Sequence, residues 1–354
     1  MAHLDTDAKR RPRRGCWGCA GWGLLVLFIL VLLLVGAGMA YNALGTARDR
    51  RAFPPPGQMV QVNDHSLHLY CIGAGSPTVV LEAGSGQWSL DWSLVQPEIA
   101  RFTRVCAYDR AGYGWSEPGP QPRSGQQIVT ELHNLLHNAG IEGPYLLVGH
   151  SLGGRYVRLY ADRYPDEVVG LVLVDATPDG FVTPPEYDRA EASYRSTMRV
   201  LGWLARLGVL RLMGRFAGGD AAAMPIMPPA LEYLPAEMRV RYLAIGMQPH
   251  YFDAVLAESE AMDDLEAELQ AARPLGDLPL IVLSHGIPAP PLPGVSAEQA
   301  AQMEQEWQSL QRQQAALSSQ GVLIVADRSG HLIPYEQPDL VVDAVRQIVE
   351  AVKR

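Results

Sequence analysis

A serine lies between two glycines near the middle of the chain, within Gly149-His150-Ser151-Leu152-Gly153. Four apolar residues, 145–148, precede this motif, and a helix-compatible stretch, 155–164, follows it. The Gly-x-Ser-x-Gly spacing predicts a sharp turn from strand to helix, because glycine has no Cβ atom to obstruct the turn. Such a turn presents the hydroxyl group beside the N–H groups that begin the helix. We therefore predict that Ser151 is a nucleophile rather than an ordinary turn residue.

A serine hydroxyl is a poor nucleophile until a base removes its proton, so a histidine is expected elsewhere in the chain. His331 follows an apolar run, 322–326, and a short polar loop. Open α/β sheets carry their active groups on loops beyond the carboxyl ends of strands. We predict that His331 is the base, the alternative being a histidine of a surface loop. His133 and His137 lack the glutamate of the zinc motif His-Glu-x-x-His, and no metal site is predicted.

Two further segments complete a resemblance to the α/β-hydrolase superfamily, and within it to the serine hydrolases. Residues 108–116 resemble the family's Asp-x-x-Gly-x-Gly-x-Ser segment, and Ser329-Gly330-His331 resembles its Gly-His ending. The resemblance covers the chain from about Val60 onward and implies a mostly parallel eight-stranded sheet with helices on both faces and a helical cap. An alternation of apolar runs with helix-length segments independently predicts an α/β fold. The runs are 78–82, 104–108, 145–148, 170–174, 278–283 and 321–325.

The family resemblance also implies a carboxylate that orients the histidine. Most members carry it after strand 7, but here the run 278–283 is followed by no carboxylate before Glu298. Haloalkane dehalogenases, which are relatives in the superfamily, carry it after strand 6, where this chain has Asp175. We predict Asp175 as the acid, although an aspartate at such a turn can also serve only to cap the loop. The other candidates are Asp179, Asp277 and Glu298.

An acyl-transfer enzyme also needs two backbone N–H groups for the negatively charged oxygen. The first is expected from Leu152, which follows the nucleophile. The loop 82–88 corresponds to the family's His-Gly-x segment, with Ala83 in place of the histidine, and alignment of the glycines gives Ser85 as the second donor. The alternative is a flexible Gly-Ser-Gly turn without this role.

A serine nucleophile favours acyl transfer, whereas the related epoxide hydrolases and dehalogenases use aspartate at the elbow. The sequence therefore predicts hydrolysis of small carboxylic esters with apolar or aromatic groups, through an acyl-enzyme and without a cofactor. Acyltransferases and carbon–carbon bond hydrolases use the same serine site and remain alternatives. A hydrolase fold without activity, acting as a binding or scaffold protein, is the alternative of a different class.

The N-terminal region predicts a membrane anchor. Five basic residues within 9–14 precede an apolar stretch, 17–40, and about 20 such residues form a helix long enough to cross the hydrocarbon core. The basic cluster predicts that the N-terminus is cytoplasmic and the catalytic domain extracytoplasmic. The alternative is a signal peptide cleaved near Gly38-Met39-Ala40, which would release a secreted enzyme.

The predicted organisation is a basic tail (1–21), a transmembrane helix (22–41), a proline-containing linker (42–59) and one hydrolase domain (60–354). After the first 14 residues, the chain carries 24 basic and 36 acidic residues, which argues against nucleic acid as a partner. The natural substrate and the oligomeric state are not determined by the sequence.

An insertion at about 180–272 is rich in methionine and leucine and is predicted to be the cap. Its apolar side chains are expected either to line an adaptable substrate pocket or to pack the cap onto the body; a lid on lipid is a third possibility. A glutamine-rich segment, 298–314, predicts a surface helix around Trp307.

Cys71 and Cys106 fall in strands that are neighbours in the family's sheet order. An oxidising compartment would permit a disulfide between them, and two buried free thiols are the alternative.

Overall fold

The computed structural model describes residues 17–181, 185–216, 229–291 and 294–353. Its centre is an eight-stranded sheet of order β1-β2-β4-β3-β5-β6-β7-β8. β2 pairs antiparallel with both β1 and β4, and all other pairs are parallel. The strands are β1 Gln58–Val62, β2 His65–Ile72, β3 Thr78–Glu82, β4 Val105–Tyr108, β5 Tyr145–His150, β6 Val168–Val174, β7 Leu280–His285 and β8 Gly321–Ala326.

The central strands are apolar along their whole length because both faces of the sheet are covered. Every residue of β3, β4, β5 and β7 is buried. A parallel strand between two helical layers needs such a continuous apolar run. The six predicted apolar runs all lie in strands, with ends that differ by no more than a few residues.

The helices of the hydrolase body cover both faces of the sheet. One face packs against α3, α4 and α9, and the other against α2 and α12. In α12, Val341, Val345 and Ile348 recur at intervals of three and four residues, which places them on one buried side. The helices are α1 Trp17–Ala52, α2 Gln96–Ile99, α3 Gly125–Asn138, α4 Leu152–Arg163, α5 Pro185–Arg206, α6 Val209–Phe216, α7 Ala236–Gly246, α8 Pro249–Glu260, α9 Met262–Gln270, α10 Ala297–Ala315, α11 Ile333–Glu336 and α12 Pro338–Val352.

Helices α5 to α9 form the cap between β6 and β7. Their buried apolar side chains, such as Met198 and Phe252, form one cluster with Trp88 and Trp115 of the body. A buried ion pair adds to this attachment, because Arg110 Nε lies 2.8 Å from Glu258 Oε1. The buried apolar residues of this cluster therefore pack the cap onto the body, which is the second of the expected roles.

The segment 108–116 has a structural role in this attachment. Asp109 is fully buried and accepts hydrogen bonds from the backbone N–H groups of Ser89 (2.9 Å) and Trp115 (3.0 Å). His68 of β2 binds the same carboxylate at 2.9 Å. These bonds fix the loops that carry the aromatic residues facing the cap.

Helix α1 continues beyond the predicted end of the membrane span at residue 41. The predicted linker, 42–59, is helical over 42–52. This stretch contains no proline, several of its residues favour helix, and Pro54 follows its end. One side of the segment also packs against the cap. The half-buried positions recur at intervals of three and four residues, as on one helix face, and are Gly38, Tyr41, Asn42, Gly45, Thr46 and Asp49.

Helix α1 contains the segment predicted to cross a membrane. It is long and apolar enough to do so, with a mean hydropathy of 2.8 over its most apolar window, and none of that window is buried against the rest of the chain. Most of the predicted basic tail, 1–16, lies outside the described residues.

Cys71 and Cys106 are opposite each other in the pairing of β2 with β4 and form a disulfide. Of the two sequence alternatives, the structure therefore contains the covalent one.

Candidate active site

Ser151 lies at the turn between β5 and α4. Its φ angle of 53° falls in the left-handed region, which non-glycine residues seldom adopt. The neighbouring glycines make the turn possible, since a Cβ atom on Gly153 would lie 2.5 Å from the carbonyl oxygen of Glu82. A Cβ atom on Gly154 would collide with that of Ala176. Local sequence thus forces the hydroxyl group out of the sheet, as the motif predicted.

The structure brings the three predicted side chains together. His331, on the loop after β8, has its Nε2 atom 2.9 Å from Ser151 Oγ. Its Nδ1–H group donates to Asp175 Oδ2 at 2.6 Å. Asp175 is fully buried, whereas the His331 side chain is 42% exposed, so that only the histidine and the serine are open to a ligand.

Asp175 reaches this position because β5 and β6 are neighbouring parallel strands. His150 pairs with Val174, so that Ser151 and Asp175 leave the sheet side by side. The backbone N–H of Asp175 donates to the carbonyl of Leu283 at 2.7 Å, which ties the turn to β7.

The other carboxylates that the sequence left open lie elsewhere. Asp179 forms an ion pair with Arg158 on α4. Asp277 is exposed before β7 begins, at the amino-terminal end of the parallel strands and thus at the opposite end from Ser151. Glu298 is exposed in the first turn of α10. The geometry therefore favours Asp175 among the four.

Asp175 is surrounded by hydrogen-bond donors. Besides His331, it accepts from the backbone N–H of His285 (3.0 Å), from His285 Nδ1–H (2.8 Å) and from Trp307 Nε1–H (3.2 Å). Burial alone would raise the pKa of Asp175, but the hydrogen bonds from His285 and His331 outweigh burial and lower it below its usual value. The carboxylate is therefore charged at neutral pH.

Sequence reasoning missed the roles of His285 and Trp307. Trp307 was expected only as the centre of a surface helix, yet its indole group binds Asp175. His285 carries a signal that could have identified it, because it lies two residues after the apolar part of β7, where most of the family has its acid. No sequence pattern indicates that Trp307 faces the site, since α10 is separated from Asp175 by more than a hundred residues.

His150, within the elbow, holds the loop that carries His331. Its Nε2–H group donates to the carbonyl of His331 at 2.8 Å. Burial lowers the pKa of His150 to about 3, so its imidazole is neutral at physiological pH. This hydrogen bond links the backbone of His331 to the residue that directly precedes Ser151.

The loop after β3 lies against the elbow, as the predicted donors require. A Cβ atom on Gly84 would lie 3.1 Å from Ser151 Cβ. The N–H group of Gly84 itself donates to Gln87 Oε1 at 3.0 Å. Among the described residues, no acceptor lies within bonding distance of the N–H groups of Leu152 or Ser85, the two predicted donors.

An apolar cleft of about 800 Å³ opens beside Ser151 and His331. Its walls come from the loop after β6, the segment after β7, α10 and Tyr187 of the cap helix α5, and its lining is mostly alanine, proline and aromatic side chains. Of the roles expected for the apolar side chains of the cap, Tyr187 therefore takes that of lining the pocket, whereas Met303, the methionine that lines this cleft, belongs to α10. Within the described ranges, no cluster of three or more His, Cys, Asp or Glu side chains could hold a metal ion.

Comparisons with known proteins agree with this architecture. Residues 77–207 match the family model described as the alpha/beta hydrolase fold. An uncharacterised protein of Bacillus subtilis is 27% identical over 270 residues, which are 76% of this chain and 82% of that protein. An uncharacterised protein of Schizosaccharomyces pombe is 33% identical over 193 residues. The matched part is 46% of this chain and only 35% of that relative's length.

Among solved structures, a thermophilic esterase from Thermogutta terrifontis superposes with a TM-score of 0.55 at 22% identity, over 83% of this chain and 98% of that chain. The strand order, the family match over 77–207 and this superposition show that the chain has the α/β-hydrolase fold. The predicted fold class and the predicted resemblance to the α/β hydrolases are confirmed.

Proposed function

We propose that this protein is a membrane-anchored serine hydrolase that cleaves small carboxylic esters. The observation that carries the proposal is the continuous hydrogen-bonded line from Ser151 through His331 to a buried, charged Asp175. A nucleophile, a base and an orienting carboxylate in this geometry are what acyl transfer requires.

In the proposed reaction, His331 takes the proton of Ser151 as the hydroxyl oxygen attacks the ester carbonyl. The N–H groups of Leu152 and Ser85 stabilise the oxygen that becomes negatively charged. Asp175 holds the imidazole in the tautomer with its proton on Nδ1 and stabilises the imidazolium. His331 then protonates the leaving alcohol, and water hydrolyses the acyl-enzyme by the same steps.

The shape of the cleft supports an apolar substrate. Most of its lining is apolar, and Glu304 and His285, which both line it, are engaged with each other. A cleft of about 800 Å³ is within the usual range for small-molecule sites. Esters with short or medium acyl chains, or with aromatic groups, fit these properties better than sugars or charged peptides.

The exposed apolar part of α1 supports the anchor. The basic cluster within 9–14 supports an orientation with the N-terminus in the cytoplasm and the catalytic domain outside. The Cys71–Cys106 disulfide supports the same orientation, because disulfides persist in oxidising compartments. The packing of Gly38 against the backbone of Leu207 favours a retained helix over cleavage near Met39.

The test is labelling of the full chain in detergent with a fluorophosphonate, which reacts with activated serines, followed by hydrolysis of p-nitrophenyl acetate, butyrate and octanoate. Ser151→Ala is expected to abolish both signals. Ser319→Ala is the matched control, since it removes the hydroxyl of an exposed serine before β8, and it should keep both signals. Wild-type protein without Ser151-dependent labelling at neutral pH would favour the binding or scaffold alternative.

A further inference from the structure

A second histidine, His285, is buried next to the three proposed catalytic residues. It is the last residue of β7, and its side chain is 9% exposed. It takes no part in the reaction described above, yet it makes two of the hydrogen bonds that Asp175 accepts.

Both ring nitrogens of His285 face carboxylates. Nδ1 lies 2.8 Å from Asp175 Oδ2, and Nε2 lies 3.0 Å from Glu304 Oε2 on α10. A charged carboxylate only accepts hydrogen bonds, and a neutral imidazole has only one N–H group. Both contacts are therefore satisfied together only when the ring is an imidazolium.

The electrostatics agree with this geometry. Burial would lower the pKa of His285, but the hydrogen bonds and charges of Asp175 and Glu304 outweigh burial and raise it to about 9. At neutral pH the site thus contains a buried cation between two anions.

We propose that His285, held as an imidazolium by Glu304, is a positioning residue that keeps Asp175 ionised and directed toward His331. The proposal rests on the proposed function. His285 binds the carboxylate through both its ring and its backbone N–H group, so that rotation of the carboxylate away from His331 would break several bonds at once.

A second consequence concerns the pH dependence of turnover. A cation beside Asp175 opposes protonation of His331, because like charges repel. The other titratable groups facing the base are His150 from β5, which is neutral, Glu304 from α10, and Glu336 from α11, which accepts from the N–H of Gly330 at 2.7 Å. Removing the His285 charge is therefore expected to move the acid limb of the rate profile to higher pH.

The experiment measures kcat and KM for p-nitrophenyl butyrate, from pH 5 to 9, on the full chain in detergent. His285→Leu is expected to lower kcat by about 10- to 100-fold with KM changed less than about threefold, because His285 lines the cleft with only the small exposed part of its side chain. His285→Asn keeps an amide N–H group near the position of Nδ1 without the charge, so a partial recovery of kcat is expected. In both variants the acid limb of kcat/KM should move to higher pH.

A matched pair on α10 tests the holding carboxylate. Glu304→Gln is expected to lower kcat several-fold, whereas Glu306→Gln removes the same charge two residues away and should leave kcat unchanged. Thermal unfolding of each variant checks that the fold is retained.

The outcomes separate the two proposals. An active wild type with His285 variants of unchanged kcat and pH profile would overturn the positioning role alone. A wild type without Ser151-dependent turnover would overturn the proposed function and the positioning role together. A fall in kcat without the pH shift would reduce His285 to a packing role.

Discussion

At the scale of single residues, the proposed chemistry depends on a buried charge that is fully surrounded by donors. Two histidines, one tryptophan and a backbone N–H group bind Asp175. A buried carboxylate without such partners would lose its proton only at a high pH, and it would then hold the base poorly.

The first prediction concerns this residue. In Asp175→Asn the amide group no longer stabilises the imidazolium and can favour the wrong tautomer of His331, so kcat should fall by about three to four orders of magnitude. Steady-state hydrolysis of p-nitrophenyl butyrate is the measurement. Asp277→Asn is the control, because that aspartate is exposed at the amino-terminal end of the parallel strands, away from the site. Near-normal turnover of Asp175→Asn would assign the orienting role to another carboxylate.

At the scale of elements, the site is assembled from the carboxyl ends of β5, β6, β7 and β8. The cap is attached to the body partly through buried polar groups. Asp91 is one of these groups. It is fully buried and accepts hydrogen bonds from the N–H of Trp88 (2.8 Å), from Tyr242 of α7 (3.2 Å) and from Tyr335 of α11. It therefore joins the loop after β3 to the cap and to the segment that follows His331.

The second prediction is a pH dependence of stability from Asp91. Burial raises its pKa to about 7, although the hydrogen bonds from Tyr335 and Trp88 oppose the shift. The folded protein thus binds this proton more tightly than the unfolded chain, whose carboxyl has a pKa of about 3.9. The resulting stabilisation is complete below pH 3.9 and is lost as the pH rises toward 7.

Asp91→Asn removes this titration. The free energy of unfolding is measured with urea for the variant and the wild type. The difference between the two proteins should be more favourable to the variant at pH 8 than at pH 5. Asp343→Asn, an exposed change on α12, is the control and should show no such trend. An equal difference at both pH values would contradict the assigned shift.

At the scale of the whole molecule, α1 contributes to two regions. Its N-terminal part exposes apolar side chains from Trp22 to Val35, and its C-terminal part packs on the cap. The glycines of this contact allow close approach, since a Cβ atom on Gly38 would collide with the carbonyl oxygen of Leu207. Arg211 of α6 also pairs with Asp49. If α1 spans a bilayer, the turn between α5 and α6 is held close to the membrane surface.

The third prediction tests the anchor. The full chain is expected to remain in the membrane pellet after a sodium carbonate wash and to be released by detergent. Leu27→Arg with Val31→Arg places two charges in the apolar segment, at about 3 kcal/mol each, and should shift the protein to the supernatant. Leu27→Ile with Val31→Leu is the control and should stay in the pellet. A wild type that is already soluble, with its N-terminus removed, would support signal-peptide cleavage.

Much of the fold and half of the site could be predicted because the signals are local. The apolar runs of the parallel strands and the glycines around Ser151 are properties of short segments, and their meaning does not depend on distant residues. The position of His331 after a strand and a short loop indicated it as the candidate base in the same way. The helical continuation of α1 to Ala52 was missed because it depends partly on packing against the cap.

The sequence by itself indicated the strands, the elbow with Ser151 and the candidate base His331. These signals are local, because backbone sterics and hydrophobic periodicity act over a few residues. Only the tertiary structure set the position of Asp175 apart from those of the three other carboxylates, joined Cys71 to Cys106, and built the apolar cleft from α10, two loops and one cap residue, Tyr187. It also surrounded Asp175 with His285 and Trp307. These results depend on which strand ends and helices become neighbours, and such contacts join residues that are far apart in the chain.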